Sequence, residues 1–401
     1  MIKRLDILFL FLLLTLGVDI FYYHCLNCNI SGIYRSPFAT IYVIVILCTI
    51  LLCLFASKVN LNISFNLQTL TFIALGIYSL NNFIIGLYDT GIHYYSLILI
   101  FFLFYIIFYR PSKNHVNRSF IGFVTIIFFC LLISLLLILT SSDLSTTPHP
   151  FRGLLGLFAD GNYFRQKGLF SSAGELSLCS GLIILYCLTK FPPKGYLSYF
   201  VLIICAFLFW ISDTRSGHVA LFITLALVTI GKFINGATIA KSIIAFLCIE
   251  FIYFIQLGLN GMIDGADHRL AIYANSINSI MLHLQSFLET IDYYHLLERH
   301  HTPPPTNNVL SLAGHSHNLL LDILNSDGVI KFSFGLLSYF AIVAVAIISY
   351  TKKKYLTFSI IFFLLIFSQF DLALVMDRLT ITMGFLLMAI LTYSVGDNHD
   401  S

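Results

Sequence analysis

Four short stretches of this chain set charge and proton-transfer chemistry beside apolar runs. They are "RQKGLFSSAGELS" with Arg165 and Lys167, "SDTRSGHVALF" with Asp213, Thr214, Arg215 and His218, "DHRLAIYANSIN" with Arg269, and "GHSHNLLLDILNSDG" with His315, His317 and Asn318. Arginine suits an anionic group in a partly dry site, because its guanidinium is a rigid fork of donors that matches phosphate and carboxylate oxygens and stays charged. Histidine titrates near neutrality and can take a proton from a hydroxyl nucleophile. Together these residue types fit transfer of a group from a phosphate-activated, membrane-held donor to a hydroxyl.

Each stretch also has a plain structural reading. Arg165 and Lys167 stand just before a helix expected to start near Gly174, where free backbone N–H groups would complete an anion site. Glu175 in that first turn reads as a partner of the helix dipole. Arg215 lies between two apolar runs, where a charge is costly and marks function, although a pair with Asp213 would account for it structurally. Arg35 and Arg378 read as contacts to lipid phosphates. His300, His301, His315 and His317 raise the possibility of a metal, but no HExxH or Cys/His pattern at zinc spacing appears, so neither a metal nor a cofactor is expected. The nine cysteines fall mostly inside apolar runs, where a thiol behaves as a small hydrophobe; "CLNC", Cys25 to Cys28, is a weak pairing or metal motif without a second pair.

The elements that must position these residues are membrane helices. The chain is 58% hydrophobic and 10% charged, which excludes a soluble domain and leaves a polytopic membrane protein. A bilayer crossing needs about 20 apolar residues. About twelve runs qualify by hydropathy, near 5–24, 38–56, 67–87, 92–109, 119–140, 174–190, 197–211, 215–231, 240–262, 329–350, 356–371 and 378–394. The first follows Met-Ile-Lys-Arg without a small-residue cleavage site and reads as a retained signal anchor. No internal repeat or linker divides the chain, so residues 1–401 read as one membrane domain.

Lysine and arginine separate across this topology. Basic clusters fall on every second connection, which places both termini in the cytoplasm. Ten of the twelve lysines then lie on or near the cytoplasmic side, whereas seven of the ten arginines, Arg165, Arg215, Arg269 and Arg299 among them, lie on the outer side. Two long polar segments, 141–173 and 263–316, face outward, and loops of this length are often functional. In the second, Leu270, Tyr273, Ile277 and Ile280 repeat at helical spacing, and Pro303 to Pro305 forbid continuation of a helix beyond Arg299 and His300. Such a segment suits a lid. A helix is expected from about His317, broken at Gly328 before the next long run.

In this order on a twelve-helix chain, "RQKGLFSSAGELS", "SDTRSGHVALF", "HRLAIYANSIN" and "HSHNLLLDILNSDGVIKFSFG" resemble the bacterial O-antigen ligases and the related O-antigen polymerases. The likeness covers about residues 150–350, and its most specific part is His317-Asn318 with "RLAIY" some 48 residues before it. The sequence departs from the common pattern at Ser171-Ser-Ala-Gly174, where many members carry proline-asparagine, and at His300-His-Thr-Pro-Pro-Pro305, which replaces a glycine-rich turn. The resemblance implies an all-α, GT-C-like fold with about 12 transmembrane helices and two periplasmic loops, in the bacterial inner membrane and among its lipids. It implies a metal-independent, inverting glycosyltransferase that moves a glycan from an undecaprenyl-diphosphate-linked donor to a sugar hydroxyl of the lipid A–core acceptor in lipopolysaccharide biosynthesis, with no nucleic-acid partner. Carried over by motif, Arg215 and Arg269 hold the diphosphate and His317 serves as general base or orients the acceptor. Arg165, Lys167, Arg299, His315 and Asn318 line the substrate site. The alternatives are a repeat-unit polymerase, sharing the donor site, and a polysaccharide transporter or flippase. Against the latter, charges gather at one face and not at the bilayer midplane.

Overall fold

A computed structural model of the chain describes residues 66–88, 113–140, 146–150, 164–170, 172–190, 195–231, 233–259, 318–324, 329–369 and 380–395. These residues are almost entirely helical. The helices are α1 (Leu67–Tyr88), α2 (Lys113–Leu139), α3 (Ala173–Lys190), α4 (Tyr196–Ser212), α5 (Arg215–Ile230), α6 (Gly236–Leu259), α7 (Leu319–Leu324), α8 (Val329–Thr351), α9 (Tyr355–Ser368) and α10 (Thr380–Val395). Nine of the twelve expected apolar runs coincide with one of these helices to within a few residues. The other three, 5–24, 38–56 and 92–109, lie outside the described residues, as do the Cys25/Cys28 pair and segment 263–316.

Helix α9 is the axle of the bundle. Twelve consecutive residues, Thr357–Ser368, are buried, which is the position a helix apolar on every side must take. It packs against α3, α5, α8 and α10, while α8 also packs on α1 and α6, and α2 on α3, α4 and α10. Two tyrosines fix its direction. Tyr350 at the end of α8 donates to the Leu227 carbonyl at 3.0 Å, and Tyr355 at the start of α9 donates to the Gly231 carbonyl at 3.1 Å. Helix α9 therefore starts where α5 ends. Since the two pack together, Gln369 just beyond α9 and Arg215 at the start of α5 share the opposite end of the bundle.

The outside of the bundle is apolar as well. Along α4, Ile204, Cys205, Leu208 and Phe209 are buried, yet Tyr196, Phe200, Ile203, Phe207 and Trp210 on its other side are exposed. Phe129, Leu136 and Leu139 of α2 are likewise exposed. Apolar side chains on both faces suit a helix with protein on one side and lipid on the other. Among the described residues, Val116–Leu139 and Phe332–Thr351 are long and apolar enough to cross a membrane.

One feature differs from the sequence expectation. Segment 141–173 holds a short antiparallel pair, β1 (Thr146–Pro150) with β2 (Phe164–Gln166), registered Thr146 to Gln166 and Pro150 to Phe164 with an irregularity between. Pro148 and Pro150 argue against a strand in sequence, but proline is tolerated where one side of the strand needs no ladder bond. Helix α7 begins at Leu319, close to the start expected near His317, and the expected break at Gly328 lies outside the described residues.

Candidate functional site

At the Gln369 and Arg215 end, β2, the start of α3 and the α4–α5 corner meet around one arginine. Arg165 is half-buried on β2, and its Nε donates to the Ser212 carbonyl at 3.2 Å. Its Nη2 donates to Thr214 Oγ1 at 3.0 Å, and that hydroxyl donates onward to the Ala173 carbonyl at 3.3 Å. Thr214, 2% exposed, thus joins the strand, the first turn of α3 and the corner. The arginine fork reads the corner backbone and a hydroxyl at once, with two donors held in one rigid plane.

The corner is short because Asp213 turns it. Asp213 adopts a left-handed conformation, φ 45 and ψ 46, and its N–H donates to the Trp210 carbonyl at 3.1 Å, closing α4. An aspartate tolerates this region better than most non-glycine residues. Thr214 is extended, and α5 begins at once with Arg215, whose side chain is exposed at the end of the bundle. Gly217, one turn on, lies against Ser177 of α3, where an added Cβ would collide with Ser177 Oγ. His218 stands edge-on to Phe209 and Trp210, ring centroids 5.0 and 6.0 Å away, and neither ring nitrogen has a hydrogen-bond partner.

The link from β2 to α3 is plugged into α2. Gly168 has φ +58, and a Cβ there would run into Ser134. Ser134 Oγ accepts the Leu169 N–H at 3.0 Å, and the Phe170 N–H donates to the Lys167 carbonyl at 3.1 Å, closing the turn. Lys167 is half-exposed beside it. Ser172 then caps α3, its Oγ accepting the Glu175 N–H at 3.2 Å. The "SAGE" that does this is a capping box legible in sequence, and it occupies one of the first-turn N–H groups expected to be open to an anion.

Asn318 is fully buried at the start of α7, with both ends of its amide engaged inside the chain. Nδ2 donates to Gln369 Oε1 at 2.8 Å and to the Gln369 carbonyl at 3.3 Å, while Oδ1 accepts the Leu321 N–H at 3.0 Å and caps the helix. Gln369 Nε2 reaches Tyr339 of α8 at 3.4 Å. Reading by motif passed over Gln369, Tyr339 and Ser134. The signal for Gln369 was a lone amide inside an otherwise apolar run.

The structure therefore brings Arg165, Lys167, Arg215 and Asn318 to one end of the helical bundle. His315, His317, Arg269 and Arg299 lie outside the described residues. Among the described residues no three His, Cys, Asp or Glu side chains gather into a group able to hold a metal ion. No family model matches this sequence, and no curated protein matches it.

Proposed function

We propose that this chain is a membrane glycosyltransferase of the O-antigen ligase type, transferring a glycan from undecaprenyl diphosphate to the lipid A–core oligosaccharide at the periplasmic face of the bacterial inner membrane. The observation that carries the reading is one of placement. Arg215 and Asn318, more than a hundred residues apart in sequence, sit at the same end of one bundle of apolar helices. A donor anchored in lipid presents its diphosphate at such an end.

On this reading the chain forms a GT-C-like bundle of about twelve spans, with the arginines facing the periplasm and both termini in the cytoplasm. Arg215, exposed at the tip of α5, and Arg269 neutralise charge developing on the departing diphosphate, the main electrostatic task in a reaction without a metal. Lys167, Arg299 and His315 add contacts to the substrates. Arg165 contributes by bracing the corner from which Arg215 projects, and Asn318 by fixing the residue next to His317. His317 takes the proton of the attacking hydroxyl or orients it. The bond from the anomeric carbon to the diphosphate oxygen breaks as the acceptor oxygen bonds that carbon, and undecaprenyl diphosphate leaves.

The test is deletion of the gene in its bacterial host, followed by gel analysis of lipopolysaccharide and extraction of lipid-linked glycan. Long polymer retained on undecaprenyl diphosphate beside bare lipid A–core is the expected result, restored by wild-type protein and not by His317→Ala. Core capped by a single repeat unit would instead identify a polymerase. Precursor stalled on the cytoplasmic side would point to a flippase and sink the transferase reading.

A further inference from the structure

The start of α7 lies well inside the bundle. Tyr339 is seven residues beyond Phe332, the first residue of the apolar stretch Phe332–Thr351. That is about 10 Å down the helix axis at the α-helical rise. Through Gln369 its hydroxyl is linked to Asn318, which is fully buried. From there α7 climbs back beside α8, because Ile323 meets Gly335, one turn nearer the start of α8 than Tyr339. Leu319, Leu320, Leu321 and Ile323 are all buried along the way. Here Gln369 satisfies a side chain: its Oε1 and carbonyl accept the Asn318 amide, whose Oδ1 in turn accepts the Leu321 N–H.

We infer that Gln369, backed by Tyr339, is a positioning residue: it fixes Asn318 and with it the start of α7, and so places the proposed transfer chemistry at the neighbouring residue in sequence. The inference rests on the transferase reading. Two features support it over mere packing. A neutral amide network between three helices is costly to place among apolar side chains and leaves unpaired groups when broken. Gln369 also uses both its backbone carbonyl and its Oε1 on one partner, which fixes Asn318 in position as well as in contact.

The experiment uses the full-length protein in proteoliposomes, with undecaprenyl-diphosphate-linked glycan as donor and lipid A–core as acceptor. Gln369→Met, close to glutamine in size but without its amide, should lower kcat by about 100-fold while the donor KM stays within about twofold, as expected for a misplaced catalytic segment. Asn318→Ala should cost at least as much, since it also removes the cap on Leu321, and the double variant should be no worse than Asn318→Ala alone. Tyr339→Phe is the milder variant, with an expected loss of about threefold for one long hydrogen bond. Wild-type kcat in Gln369→Met, or in Tyr339→Phe should the former fail to accumulate, overturns the inference. So does a multiplicative loss in the double variant.

A second measurement does not depend on transfer. Asn318→Cys paired with Gln369→Cys should form a reducible crosslink under mild oxidation, detected by mass spectrometry of the linked peptides. A crosslink in a protein whose wild type transfers nothing would sink the transferase reading and leave the contact standing. Absence of the crosslink in an active protein would sink the positioning role itself.

Discussion

Two junctions at the same end of this bundle are built on opposite principles. Around Thr214, a charged fork from β2 grips the corner between α4 and α5, and both of its partners belong to that one corner. Around Gln369, neutral amides join the start of α7 to the end of α9, with residues 51 apart in sequence and a third partner on α8. The first sits where a guanidinium can stay charged, at the rim and half-buried. The second is fully enclosed, with Asn318 0% and Gln369 4% exposed, where an unpaired charge would be far more costly. The difference teaches that the half-buried junction is held by a charged fork and the enclosed one by uncharged groups that satisfy one another.

That contrast can be broken in three places, beginning with the largest effect. If Arg215 meets an anion through its fork, Arg215→Lys should lose about 100-fold in glycan transfer despite keeping its charge. Near-wild-type transfer in a reconstituted assay would remove Arg215 from any phosphate role.

Next is the brace. Arg165→Met removes the charged donors from the Thr214 hydroxyl and the Ser212 carbonyl, and should cost about 2 kcal/mol of stability, in the range of hydrogen bonds to a charged group. Thermal unfolding in detergent measures it, and an unshifted midpoint would mean that Arg165 is free to serve substrate directly.

The corner itself gives a change of similar size, in one variant and not the other. Asp213→Gly should leave the unfolding midpoint unchanged or slightly higher, whereas Asp213→Val, β-branched at φ 45, should lose about 2 kcal/mol more than Gly. Equal midpoints for the two would show that backbone conformation is not what the corner requires.

Much of this architecture was legible beforehand. Hydropathy located nine described helices because each apolar run must be long enough to span or fill the bundle, and that length is a local property. Arg165, Lys167 and Arg215 stood out because a charge beside an apolar run is costly wherever it falls. The β1–β2 pair was hidden by its prolines, and Gln369 by its position at the end of a run whose other polar residues, Thr357, Ser359 and Ser368, are simply buried helix residues. Thr214 was visible as a member of a cluster, but nothing in its neighbours said that its hydroxyl would bridge a strand and a second helix.

The sequence by itself determined which segments are helices, where their caps and breaks fall, and which residue types stand at their ends, because periodicity, capping and the cost of charge act over a few residues. Only the tertiary structure decided that Arg165 reads the α4–α5 corner, that Asn318 faces inward to Gln369, and that these ends meet. Those pairings depend on which helices pack side by side and in what direction, a choice made by shape and by the mutual satisfaction of distant polar groups.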